Sequence, residues 1–354
     1  MLFDVRPKTS IRELFGRKAE YLIFRDAVRK GRNFILITGP RRIGKTSFLY
    51  ASLNEFADDG IPHIVIDTRA ATSLNSRYPQ KVIAEQVYRA LLGRNVIGSV
   101  LSKVRGVKLG PVEFDIGDKP DLVEVFSLLN RVGNPVIVAF DEAQYLRFSN
   151  EDMTRFFAWV LDALQNIVLV FTGSQVGVLE NFLKLYDGSS PLFGRYEVRI
   201  RLPRFNPSES LEFLERGFEE VSKPVDDEEL LSAIQTLDGV PGWLVHYGAS
   251  RVDGLTHDEA VERVLEKAMA YVTSEFRELT KLSPRYELVM KAVAELSEGF
   301  GYARFEEIKR KVGVDDKSLR NYINRLIDYG FLESVGHGKY RIPDPVMYRV
   351  FQRL

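Results

Sequence analysis

The sequence predicts an α/β fold over residues 1–205: a parallel-sheet sandwich with helices on both faces. An all-helical segment and a small C-terminal module of three helices and a hairpin follow. Three observations carry this. Short, continuously apolar runs alternate with helical patterns in the first half, as in buried parallel strands. After Pro203 and Pro207 only helical periodicity remains for over a hundred residues. A glycine-rich loop stands between the first apolar run and the helical pattern after it.

In chain order, Phe34–Thr38 reads as a buried strand and Lys45–Phe56 as a helix. Ile64–Asp67 is a second strand. Pro79–Leu92 is a helix with Val82, Ile83, Val87 and Leu91 on one face. Val136–Phe140 is a third strand, Phe156–Ala163 a helix, and Ile167–Phe171 a fourth strand. Tyr196–Leu202 alternates in the manner of a strand nearer an edge. Residues 94–120 interrupt the rhythm, and Gly110-Pro111 between two β-like runs suggests an inserted hairpin. Helices are expected over Ser208–Val221, Asp227–Leu237 and His257–Leu279, with capping signals at Ser208 and Asp226. Ser283-Pro284 marks the next boundary. Beyond it come helices over Tyr286–Leu296, Phe305–Val312 and Asp316–Tyr329, then a hairpin through Gly336-His337-Gly338. That is the outline of a winged helix-turn-helix. The expected domains are 1–205, 206–283 and 284–354.

Composition narrows the function classes. The chain has 354 residues, 49 basic against 49 acidic side chains and no cysteine. Neutral charge provides no global attraction to nucleic acid or membrane, so such contacts need a local patch. Disulfides, thiolate catalysis and cysteine zinc sites are excluded. The four histidines, at 63, 246, 257 and 337, are too dispersed for a histidine metal centre. No apolar run reaches the roughly 18 residues of a spanning helix, and Met1–Arg6 lacks a secretory pattern. The expected location is the cytoplasm, away from membrane.

Gly39-Pro40-Arg41-Arg42-Ile43-Gly44-Lys45-Thr46 fits the P-loop pattern G-x-x-x-x-G-K-[ST], with strand before and helix after. Average residue frequencies yield such a match by chance in about 1% of chains this long, so the context decides for phosphate binding. Curled backbone N–H groups and the helix N-terminus face phosphate oxygens. Lys45 neutralises the outer phosphates, and the Thr46 hydroxyl can ligate Mg²⁺. A carboxylate is also needed on the Mg²⁺ side. Asp141-Glu142 ends the third apolar strand, where ligands gather in open α/β sheets. Asp141 would hold the Mg²⁺ shell, and Glu142 would orient or polarise the attacking water. An acidic helix cap is the competing reading. The intervening 64–67 strand suggests a sheet in which the phosphate strand and the acidic strand are not neighbours. Thr172 or Ser174, ending the fourth strand, is a candidate γ-phosphate sensor or an ordinary strand-end cap.

With these motifs in place, the chain resembles the archaeal ATPase family, among the AAA+ relatives that include origin-recognition and signal-transducing STAND ATPases. The likeness is carried by Phe15-Gly16-Arg17-Lys18-Ala19-Glu20, Gly39–Ser47, Asp141-Glu142-Ala143-Gln144, Thr172-Gly173-Ser174, Pro191–Arg195 and Gly239-Val240-Pro241-Gly242. It implies ATP/ADP and Mg²⁺ as ligands and ATP hydrolysis as the reaction. It also implies that Arg17 and Glu20 lie beside the adenine and that Pro241, in a helical lid, packs on the base. Read from the residues, Arg17 could instead cap a helix or pair with Glu20, and 239–242 is a good turn in any protein. Arg195 is an arginine-finger candidate, in cis or on a neighbour's nucleotide, or else a surface ion pair. No arginine after Pro241 suits a second sensor, since Arg251 fits poorly. This favours a slow switch over a ring motor.

The expected recognition helix offers Lys317, Arg320, Asn321, Asn324 and Arg325, and the wing His337, Lys339 and Arg341. From Arg304 onward there are eleven Lys/Arg against seven Asp/Glu. Double-stranded DNA and a protein surface, including a second copy of the chain, both remain open as partners. Two functions follow: an ATP-driven switch with slow hydrolysis, or a DNA-binding or regulatory adaptor in which nucleotide is a structural ligand.

Overall fold

A computed structural model describes residues 1–74, 79–92, 121–131, 134–149, 152–174, 176–299 and 301–354. The expected 94–120 insertion and its hairpin lie outside these residues.

Five parallel strands, β1 (Phe34–Thr38), β2 (His63–Asp67), β3 (Val136–Asp141), β4 (Ile167–Gly173) and β5 (Val198–Arg201), form one sheet in the order β2-β3-β4-β1-β5. Every residue of β1, β3 and β4 is buried, which is why these strands read as unbroken apolar runs. One face is covered by α1 (Lys18–Arg29) and α2 (Lys45–Asp58), through Phe24, Phe48 and Phe56. The other is covered by α3 (Thr68–Leu74), α4 (Pro79–Leu92), α5 (Leu122–Asn130), α6 (Met153–Ala163) and α7 (Val176–Leu183). There Phe140 stacks on Phe171 at 5.3 Å and Phe157 meets Phe171 edge-on at 4.8 Å. β4 separates the phosphate strand β1 from the acidic strand β3, as the order of motifs predicts.

The chain then becomes helical through α8 (Pro207–Glu220), α9 (Asp227–Leu237), α10 (Pro241–Val252) and α11 (His257–Thr280). Asn206 with Glu209 and Thr256 with Glu259 form capping boxes that start α8 and α11. Helix α10 is absent from the sequence-based expectation. Pro241-Gly242 reads as a turn, yet proline at the first helical position starts a helix well.

Next come α12 (Arg285–Leu296), α13 (Phe305–Val312) and α14 (Asp316–Asp328). An antiparallel sheet of β6 (Ala303–Arg304), β7 (Glu333–Gly336) and β8 (Lys339–Arg341) accompanies them, in the order β6-β8-β7. A last helix, α15 (Pro345–Arg353), was also not anticipated. It packs back onto α11, where Phe276 meets Phe351 and Phe331, each at 5.0 Å. Asp344 caps it and accepts from the Trp243 indole at 3.0 Å. One continuous apolar core therefore runs from Phe205 to Phe351, and it also takes in Leu2 and Phe3. Among the described residues no helix is long and apolar enough to cross a membrane.

Candidate active site

The site forms where the loop after β1 meets the C-terminal ends of β3 and β4. Gly44 adopts φ 92°, a left-handed conformation favoured by glycine, and so turns the loop into the start of α2. The first N–H groups of α2 thereby face one point. Lys45 is buried, and its ammonium donates to the carbonyls of Gly39 (3.1 Å) and Pro40 (2.9 Å). Burial pulls its pKa down, against the charges of Glu142 and Asp141.

Asp141 is buried and receives two hydroxyls. Thr46 Oγ1 donates to Oδ2 at 3.1 Å and Thr172 Oγ1 to Oδ1 at 2.5 Å. Burial pushes its pKa up, against the Thr172 bond. Glu142 has φ 55°, an uncommon conformation for a residue with a side chain. The Thr68 hydroxyl secures it, lying 2.9 and 2.7 Å from the Asp141 and Glu142 carbonyls. So does the Glu142 N–H, which donates to Thr172 Oγ1 at 2.9 Å. The Glu142 carboxylate accepts from Gln144 Nε2 (2.5 Å), Ser174 Oγ (2.8 Å) and Ser174 N (3.2 Å). Burial alone would raise its pKa, but the Lys45 charge and these hydrogen bonds outweigh it and hold the group below its usual value. The sensor alternatives thus separate in space. Thr172 is committed to the Asp-Glu backbone and carboxylate, while Ser174 touches Glu142.

A cavity of about 290 Å³ runs from this point toward the helices. Gly44, Lys45, Thr46, Ser47 and Glu142 are among its lining residues, and so are the apolar Leu14, Phe15, Phe205, Pro241 and Val245. His246 also borders it, its pKa pulled to about 4 by burial beside Lys267 and Arg42. Arg42 and Ile43 are on the wall as well. Gly39, Pro40, Arg41 and Glu20 are not. Arg41 lies over Phe331 and pairs with Glu275 on α11. Arg17 borders the cavity but points inward, donating to the carbonyls of Pro203 (2.8 Å) and Ile43 (3.3 Å), with Glu20 at 4.0 Å. It braces the P-loop from behind. Within its own chain Arg195 is away from the cavity, bound to Asp162 on α6 and to the Pro191 carbonyl. This does not match an arginine finger acting in cis. Arg251 is tied to Glu229.

Sequence reasoning missed Thr68, Phe205 and the N-terminal residues 2–8, all but Phe3 of the last group bordering the cavity. None carries a motif; their roles arise from contacts distant along the chain, 39 residues from Lys8 to Ser47, 73 from Thr68 to Asp141 and 218 from Leu2 to Glu220.

A family model described as an ATPase domain predominantly from Archaea matches residues 16–247. The chain belongs to this archaeal ATPase family. A Walker-type ATPase of Pyrococcus abyssi shares the family likeness in structure, with TM-score 0.84, 31% identity and 100% of both chains covered. More distant are Orc1 of Aeropyrum pernix, solved with DNA (TM-score 0.47, 17% identity, 99% of this chain and 94% of that chain covered), and RuvB of Thermotoga maritima (TM-score 0.48, 15% identity, 97% and 96% covered). No curated protein sequence matches the chain. The archaeal ATPase family model spans the P-loop, the acidic strand end and the start of α10; the cavity residues Leu2, Asp4–Lys8 and Glu13–Phe15 lie before it.

Proposed function

We propose that the chain hydrolyses ATP slowly, with Mg²⁺, as a STAND-type conformational switch. The observation that carries this is the Thr46–Asp141–Thr172 chain beside Lys45 and Glu142. A hydroxyl and a carboxylate 3.1 Å apart at a helix N-terminus are hard oxygen donors of the kind Mg²⁺ takes. Bound there, Mg²⁺ would neutralise phosphate charge on the reacting side. Lys45, now satisfied by two carbonyls, can exchange them for phosphate oxygens. Glu142, held ionised and low in pKa, orients a water by its charge more than it withdraws a proton. Phe15, Phe205 and Pro241 offer the base an apolar wall.

The switch reading rests on where the helical half touches this site. Gly242 on α10 is bonded to the P-loop at Arg42. Arg42 lies between the rings of Trp243 and Tyr271, at 4.2 and 3.9 Å. At the end of α14, Asn181 of α7 donates to Asp328, and Tyr329 lies by Arg147. Any preference of these contacts for ATP over ADP would move residues 206–354, as a lid and a winged helix. Arg195 would serve catalysis only on a neighbouring copy's nucleotide.

Lys45→Ala tests the reading: calorimetry should show loss of tight ATP binding, and retained micromolar affinity would overturn it. An adaptor reading keeps support from one observation. Lys317, Arg320, Asn321, Asn324 and Arg325 are all exposed on α14 while its C-terminal end is packed on α7. Salt-dependent binding to double-stranded DNA, weakened by Arg320→Ala and Arg325→Ala, would favour it.

A further inference from the structure

Residues 1–9 are not a loose terminus. Phe3 is buried in the helical core, 4.8 Å from Phe218 and 5.9 Å from Phe213. Its ring lies against Gly217 in α8 and Gly248 in α10; a Cβ on either glycine would overlap it. The Leu2 N–H donates to Glu220 at 2.6 Å. Six residues further on, the chain is fastened to the opposite body. The Lys8 N–H donates to Ser47 Oγ at 3.1 Å, and the Thr9 carbonyl accepts from Asn54 at 2.8 Å, both partners on α2. Between these anchors Asp4, Val5, Arg6 and Pro7 border the cavity. Lys8 Nζ folds the span onto itself by donating to the carbonyls of Met1 (2.6 Å) and Asp4 (3.0 Å).

We propose that residues 4–7 are a strap across the nucleotide cavity, anchored by Phe3 in the helical half and by Lys8 on the P-loop helix, and that the strap sets the rate at which nucleotide leaves. The inference rests on the proposal that the cavity holds nucleotide. Ser47 follows Thr46 in the first turn of α2, so the second anchor of the strap sits next to the residue that would meet the phosphate side. An occupant passing that way must displace a segment held at both ends. The Phe3 anchor is the weaker link in motion, because it alone lies on the helical half that a switch would shift. Phe3 and Lys8 are therefore positioning residues. Their signature is a change in release rate with little change in association rate.

The test is release of a fluorescent mant-ADP from the full chain by stopped flow. Phe3→Ala should speed release by about tenfold or more, with the association rate changed far less, and Phe3→Leu should restore slow release. Gly217→Ala, which expels an intact Phe3, should act like Phe3→Ala. Lys8→Pro removes the backbone N–H that bonds Ser47 and the Nζ bonds to the Met1 and Asp4 carbonyls without touching the apolar core, so it covers the case in which Phe3→Ala fails to fold. Wild-type release rates in folded Phe3→Ala or Lys8→Pro would overturn the strap. Absence of mant-ADP binding by the wild-type chain would instead overturn the nucleotide-site reading.

Discussion

The amide of Gly242 donates to the carbonyl of Arg42 at 2.9 Å, so the first turn of α10 is hydrogen-bonded to the P-loop itself. Arg42 has φ 62° at this point, and its guanidinium is held between two aromatic rings of the helical half. The phosphate loop and the helical segment thus share one junction.

A side chain at 242 should disrupt that junction. A Cβ there would stand 2.8 Å from Arg42 Cβ and 2.9 Å from its carbonyl oxygen, neither of which can swing away. Overpacking of this kind costs about 1–3 kcal/mol, so Gly242→Ala should weaken ATP binding by roughly fivefold or more. Calorimetry on the folded variant checks this; an unchanged Kd would mean that the junction does not shape the site.

Glu142→Gln should separate binding from chemistry. The amide oxygen can still accept from Ser174, so the loop keeps its shape, but the charge that orients water is gone. ATP affinity should persist while kcat falls by about a hundredfold or more. Turnover near the wild-type rate would remove Glu142 from the catalytic role.

Asp141 carries a pH signature. Its pKa is raised in the fold by burial, so ionisation at neutral pH works against folding. Stability linked to this group is fully present below its unfolded pKa and is lost as pH rises through the folded one. Asp141→Asn should therefore raise the Tm of the Mg²⁺-free protein at pH 7. The gain should shrink as pH falls toward the ordinary carboxylate range, because protonation of the wild-type carboxyl removes the penalty. The same variant should lose Mg²⁺-dependent turnover. A Tm difference that is constant across this range, by calorimetry, would contradict the assignment.

Gly177→Ala probes the far contact. A Cβ at 177 would overlap the Asp328 carboxylate and crowd its backbone, forcing the end of α14 off α7. Gly330 lies just beyond the Ser174 carbonyl, and Ser174 holds Glu142. Release of this contact should raise basal ATP turnover several-fold in a phosphate-release assay. Unchanged turnover in a folded variant would show that the C-terminal module does not restrain the site.

The sequence by itself determined the sheet and the place of the P-loop and the Asp141-Glu142 pair at the ends of its strands. Strands β1, β3 and β4 are buried on both faces and cannot hide their apolar runs. Gly44-Lys45-Thr46 and Asp141-Glu142 are local patterns whose geometry follows from a strand ending at a loop. Helix α10 escaped notice because Pro241-Gly242 satisfies turn and helix start alike, and only packing of Trp243 and Leu244 into the core decides between them. The tertiary structure alone decided which hydroxyl, Thr172 or Ser174, meets which carboxylate, since residues two apart on one strand end differ only by what the neighbouring strand presents. It alone turned Arg195 to Asp162, and laid Phe3 between glycines more than two hundred residues away. Such contacts leave no period or spacing in the sequence, because they depend on where distant elements come to rest.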